Sequence, residues 1–186
     1  MPLKENRALA WAVLGVCALG SIFGLGGHTL AQDQDKLLNV FYEGTDTQET
    51  TRHSMDAYLD RAAECASVMG SEAQLLLSAD NATAQEMIDL SGIISDSDDL
   101  TARYDAYCTL QKDADTLYNA IYAADLTDAQ RVSFKQAYDD FWGSDKYIKR
   151  DSYRSLANEF NSELSGFPAG LAAGIWNVDE MDTFGG

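Results

Sequence analysis

Two histidines and three cysteines are the side chains of this sequence best suited to metal or nucleophilic chemistry, and their spacing organises neither. His28 and His53 each lack a second His at ligand spacing, so a transition-metal site is not expected. Cys17, Cys65 and Cys108 stand singly, with no Cys-x-x-Cys motif for redox work. Cys65 and Cys108 fall on the apolar sides of predicted helices. They read as buried thiols, or as a disulfide if their Cα atoms come within about 7 Å in an oxidising compartment. A nucleophilic cysteine would need His53 beside it, which the spacing does not require. Asp96-Ser97-Asp98-Asp99 opens like a calcium loop but has Thr101 in place of the turn glycine and Tyr107 in place of the closing Glu. Weak divalent-cation binding is one reading of those carboxylates; the simpler one is a helix start, where they face the positive end of the dipole. Tyr104, Tyr107, Tyr118 and Tyr122 either pack in the core or line a small-ligand site between helices. No catalytic residue, metal or cofactor is expected, and the chain reads as non-enzymatic.

The elements that would position these groups are helical throughout. Proline occurs only at positions 2 and 168, which removes the strongest helix breaker from the stretch between. Met55, Leu59, Ala62, Ala66, Met69, Ala73 and Leu76 recur at alternating steps of four and three, the buried stripe of a bundle helix, with Thr50 or Thr51 as its cap. Leu110, Ala114, Leu117, Ile121 and Ala124 repeat the pattern in a helix predicted from about Asp98 to Ala124, with Leu100, Tyr104 and Tyr107 extending it backwards after a phase slip. Thr83 and Glu86 form a capping box for a shorter helix ending at Ile94. Thr127 caps a helix beginning at Asp128, with Phe134, Tyr138 and Phe141 on one face and Gly143-Ser144 as a kink.

The sequence opens with an uncharged stretch from Ala8 to Gly27. Twenty helical residues rise about 30 Å, the thickness of a bilayer's hydrocarbon core. Lys4 and Arg7 precede it, and by the positive-inside tendency the short N-terminus is cytoplasmic and the rest extracytoplasmic. A cleaved leader is the alternative, with Thr29-Leu30-Ala31 as its site, although the apolar run exceeds the roughly 7 to 15 residues usual for one. Gly20 and Gly24 give the small-x-x-x-small spacing of self-associating membrane helices. Leu37, Leu38, Val40 and Phe41 continue the helix to a stop at Gly44. Past the anchor there are 29 acidic and 11 basic side chains, about eighteen net negative charges, which repel phosphate backbones and exclude nucleic acid as a partner.

Near the C-terminus, Tyr153, Phe160-Asn161 and Phe167-Pro168 place an aromatic every seven residues, which predicts one buried stripe on a helix ended by Pro168. The apolar segment Ala169 to Val178 follows, as a cap over the bundle's open end or a docking segment for a partner or the membrane surface. This pattern resembles the C-terminal signature of the LemA family, in which two Tyr-Asn pairs at this spacing lead into Phe-Pro and an apolar close. Arg154 stands where the first Asn would be, and Phe160 where the second Tyr would be. The resemblance implies a membrane-anchored helical bundle of unassigned activity, with Tyr153, Phe160, Asn161, Phe167 and Pro168 as family positions.

The expected chain is therefore all-α, an N-terminal transmembrane helix leading into an antiparallel up-and-down four-helix bundle with long helices. Its expected parts are a tail over 1–7, the anchor over 8–27, the bundle over 28–168 and an apolar tail over 169–186. It would sit in the cell membrane as a single-pass protein and bind or position another envelope protein; an extracytoplasmic sensor or small-ligand bundle is the alternative.

Overall fold

Apolar residues at helical spacing, almost uninterrupted by proline, give the seven helices seen among the described residues. The computed structural model describes residues 7–44, 46–47, 50–51, 54–78 and 81–184, without the side chains of 7–12, 18–19, 22, 46–47 and 50–51. The helices are α1 (Arg7–Glu43), α2 (Met55–Leu76), α3 (Ala82–Asp96), α4 (Leu100–Ala123), α5 (Asp128–Ile148), α6 (Ser152–Leu164) and α7 (Ala169–Trp176). Between α1 and α2, β1 (Asp46–Thr47) pairs antiparallel with β2 (Thr50–Thr51), Asp46 opposite Thr51. His53, Ala79 and Asp80 lie outside the described residues.

The described residues form two compact units, one within Met1–Asn39 and Ser155–Met181, the other within Val40–Arg154 and Asp182–Gly186. In the second, α2 packs along its neighbour α3 and α3 along α4, as consecutive helices joined by short turns do in a bundle, and α5 returns to pack along α2. The predicted α2 stripe is its core from Met55 to Ala73: Met55, Leu59, Ala62, Ala66, Met69 and Ala73 are fully buried, while Leu76, the last expected member, is only half-buried. The small residues let helices approach closely. A Cβ added at Gly70 would come within 2.6 Å of the Ala84 carbonyl oxygen of α3. Leu110, Ala114, Leu117 and Ile121 of α4 and Phe134 and Phe141 of α5 complete this core.

Most boundaries follow local chemistry, and some differ from those expected. Ser54 caps α2, its hydroxyl accepting from the Ala57 N–H at 3.1 Å, because Thr50 and Thr51 are engaged in β2. Asn81 caps α3, accepting from Ala84 N–H at 2.9 Å, and displaces the expected Thr83 box. Asp99 caps α4, its carboxylate accepting from the Thr101 and Ala102 N–H groups. The Thr127 cap stands as predicted, with the Gln130 carboxamide accepting its N–H and hydroxyl. Gly143-Ser144 does not break α5, which runs on to Ile148.

In the first unit, α1 contributes buried Leu30 and Leu37, α6 contributes Ala157, Phe160 and Leu164, and α7 contributes Ala172 and Ala173. Helix α1 is continuous to Glu43, and Gly44 stops it with φ 77, a left-handed conformation that costs glycine little. Helix α6 stops at Leu164, earlier than Pro168. Ser165 and Gly166 turn the chain out of it through bonds back to Asn161 and Glu163, and Pro168 instead opens α7. Among the described residues no helix is long and apolar enough to cross a membrane, so the transmembrane helix expected over 8–27 finds no support among them.

Candidate functional site

The five signature positions do not converge. Tyr153 belongs to the second unit, its ring fully buried against Phe41 at 5.1 Å and Phe184 at 6.5 Å between centroids. Its hydroxyl has no hydrogen-bond partner among the described residues, and burial, with Asp182 and Tyr42 adding to it, pushes the phenol well above its ordinary range. Phe160 and Asn161 belong to the first unit. Phe160 is buried, and the Asn161 carboxamide clamps one peptide unit: it donates to the Met181 carbonyl at 2.7 Å and accepts the Met181 N–H at 2.8 Å. A side chain thus satisfies both backbone groups of a residue in no helix or strand. Phe167 is 87 % exposed, because the helix that would have carried it inward has already ended. The seven-residue stripe is buried at its first two aromatics and lost at the third.

The most elaborate polar arrangement lies in the second unit, where α4 faces α5. Asp145, only 4 % exposed, accepts from the Tyr107 hydroxyl at 2.6 Å, the Gln111 carboxamide at 2.6 Å and the Lys149 ammonium at 2.9 Å. Burying a carboxylate is tolerable only where such partners meet it. Burial and the bond to Asp145 raise the Tyr107 phenol far above its usual range, so it stays a donor. Every group here is committed to another, and the arrangement fixes two helices without presenting a reactive atom.

A second buried charge joins α2 to α4. The Arg103 guanidinium, 4 % exposed, meets Asp56 at 2.7 Å and Asp60 at 3.6 Å, and lies over the Phe41 ring 5.5 Å from its centroid. Desolvation, then repulsion from Asp56, raises the Asp60 carboxyl despite the attraction of Arg103.

Between α2, α3 and α5 runs a groove of about 640 Å³, edged by Arg61, Val68, Ser91, Ser95, Gln136 and Asp140. Its size is that of small-ligand sites. Arg61 is paired along its own helix with Glu64 at 3.0 Å and across the groove with Asp140 at 3.5 Å. Cys65 also borders the groove, and burial raises its thiol, which favours the unreactive protonated form.

The remaining sequence candidates disperse. Cys65 and Cys108 are free thiols, so the expected alternative of a disulfide is not adopted; Cys17 is exposed on α1. His28 is exposed, within 3.1 Å of Gln32. Tyr118 stacks on Tyr122 and Tyr138, Tyr104 packs edge-on to Phe184, and Tyr107 serves Asp145, so the four expected tyrosines line no common site. Among the described residues no group of three or more His, Cys, Asp or Glu side chains could hold a metal ion. Sequence reasoning missed Arg103 and Asp145, and both left a signal. Arg103 precedes Tyr107, Leu110 and Ala114 at steps of four, three and four, while Asp145 lies four after Phe141 and three before Ile148, each a charge on a buried stripe. No family model, curated protein or solved structure matches the chain.

Proposed function

We propose that this chain is a LemA-like single-pass membrane protein whose helical bundle, on the extracytoplasmic side, binds or positions another envelope protein without catalysing a reaction. One observation carries the reading: the uncharged stretch Ala8–Gly27 lies inside the continuous helix α1, where Val13, Leu14, Val16 and Leu25 are 49 to 71 % exposed. Apolar side chains standing outward along one uncharged helix suit a lipid or protein surrounding. The non-enzymatic part is supported by the Asp145 and Arg103 arrangements, whose charges meet opposite charges. Gly20 and Gly24 offer a route to self-association through the anchor.

Extraction and labelling test it together. The protein should stay with membranes in alkaline carbonate. With the native thiols removed, Asp125→Cys in the exposed α4–α5 turn should react with an impermeant maleimide on intact cells. Release by carbonate would refute the anchor, and labelling only after permeabilisation would move the bundle to the cytoplasm. In-cell cross-linking should then recover one specific protein with the bundle.

A second reading, a sensor that takes a small polar ligand, is favoured by the groove between α2, α3 and α5. Its test is a thermal-shift screen in which Ser91→Leu, placed in the groove wall, should abolish any stabilisation seen.

A further inference from the structure

We infer that α7 is a membrane-interface helix, lying in the headgroup and upper acyl region of the same bilayer that holds α1; this rests on the anchor proposed above. Residues Phe167 to Val178 carry no charge, and their large apolar side chains point outward: Phe167 is 87 %, Leu171 56 %, Ile175 66 % and Trp176 42 % exposed. Four such side chains together on one short segment form an exposed apolar patch of the kind that marks a contact surface. Eight residues rise about 12 Å, too little to cross a hydrocarbon core of about 30 Å, so the segment can only lie along or dip into one face.

The place where α7 meets α1 supplies the occupant. The Trp176 indole donates to the Phe23 carbonyl at 2.9 Å, and its ring takes the space a side chain on Gly27 would need, since a Cβ there would overlap it. Phe23 and Gly27 are the last turn of the uncharged stretch, where a helix that starts across the membrane reaches the polar boundary. Helix α7 is therefore held at the depth of the interface by contacts within its own unit. With the indole N–H already bonded to protein, the ring enters an apolar medium without an unsatisfied donor. The helix closes at Asn177 in the left-handed conformation, and Asp179 and Glu180 follow, so the chain regains charge as it leaves this face. Those carboxylates favour zwitterionic over anionic headgroups.

The test uses the full chain in phosphatidylcholine vesicles with two single-tryptophan forms, one keeping Trp176 and the other keeping Trp11 inside the anchor, each with the other tryptophans, including Trp142, replaced by Phe. Lipids brominated near the headgroup or near the methyl end report depth by quenching. Trp176 should be quenched about twofold or more strongly by the shallow bromines than by the deep ones, as an interfacial ring requires. Leu171→Asp with Ile175→Asp should abolish this quenching while leaving that of Trp11. Quenched Trp11 beside Trp176 untouched at every depth would overturn this inference alone; unquenched Trp11 would overturn the anchor and this inference together. A Trp176 shielded from bromine but responsive to dilution of the protein among vesicles would assign the face to a second copy and equally overturn it.

Discussion

The two units handle burial in opposite ways. The second buries charge: Asp145 and Arg103 are each 4 % exposed and each is met by opposite charge. The first buries no charged side chain among the described residues and leaves Val16, Leu25, Phe167 and Ile175 standing out. A buried ion is tolerable only in a structure that supplies its partners, and an exposed apolar stripe only in a surrounding that is not water. Under the proposed membrane anchor, this difference corresponds to two different surroundings. It also separates what should fail when each is disturbed.

The largest effect should come from Asp145→Ala. It strands the Tyr107 hydroxyl in the core and removes the acceptor shared by Gln111 and Lys149. An unsatisfied buried donor costs about 1–3 kcal/mol, and breaking a buried ion pair reaches about 3–5 kcal/mol, so a loss near 3 kcal/mol is expected in urea unfolding followed by far-ultraviolet dichroism. A loss below about 1 kcal/mol would show that the second unit is not held by its buried charge.

Gly70→Ala probes the close approach of α2 and α3 by methyl addition. The Ala84 carbonyl is backbone, so the helices must separate, at a cost of about 1–3 kcal/mol. Asn161→Ala is the counterpart in the first unit, removing both bonds to Met181 for about 1–2 kcal/mol. Its signature is local: hydrogen exchange should accelerate at Met181 and its neighbours while α2 to α5 keep their protection. Uniform acceleration would mean the two units unfold as one.

High pH sharpens the comparison further, because Tyr107 and Tyr153 both lie in the second unit. Their folded phenols titrate above the ordinary 10.0 of an open tyrosine, mainly through desolvation. The stability each contributes is complete below pH 10 and lost as the pH climbs beyond it. Phenolate absorbance at 295 nm should therefore show two of the nine tyrosines ionising only as the second unit unfolds. Smooth titration of all nine in the folded protein would remove the case for a closed core there.

How much of this was legible in the sequence depends on whether the periodicity was carried by apolar residues. The α2 stripe is pure Met, Leu and Ala, and every position from Met55 to Ala73 is buried as read. In α4 the stripe runs back through Arg103, so a reading that follows only hydrophobes slips to Tyr104 and Leu100 and loses the phase. Phe167 shows the converse error: the seven-residue spacing continues past the point where Ser165-Gly166 ends the helix, and spacing without a helix says nothing about burial. Neither the Asn161 clamp nor the contact between Trp176 and Gly27 could be found from periodicity. Both join residues far apart in the chain, and their energy lies in a bond geometry that composition does not encode.

The smallest effect tests whether the Arg103 site holds more negative charge than it needs. Asp56 approaches the guanidinium to 2.7 Å, whereas Asp60 stands at 3.6 Å with its side chain half exposed. Desolvation and the neighbouring Asp56 raise Asp60 above its ordinary 3.8. A carboxyl with a raised folded value favours folding while protonated and loses that contribution as the pH rises through the folded value. At pH 7 its charge therefore weighs against the fold. Asp60→Asn should stabilise the protein at pH 7 by a few tenths of a kcal/mol, roughly the scale of a half-exposed charge pair, and the gain should vanish near pH 3, where both forms are neutral. Destabilisation at pH 7 would mean that the attraction between Asp60 and Arg103 outweighs the crowding of carboxylates, and that the second unit needs both partners to keep its arginine buried.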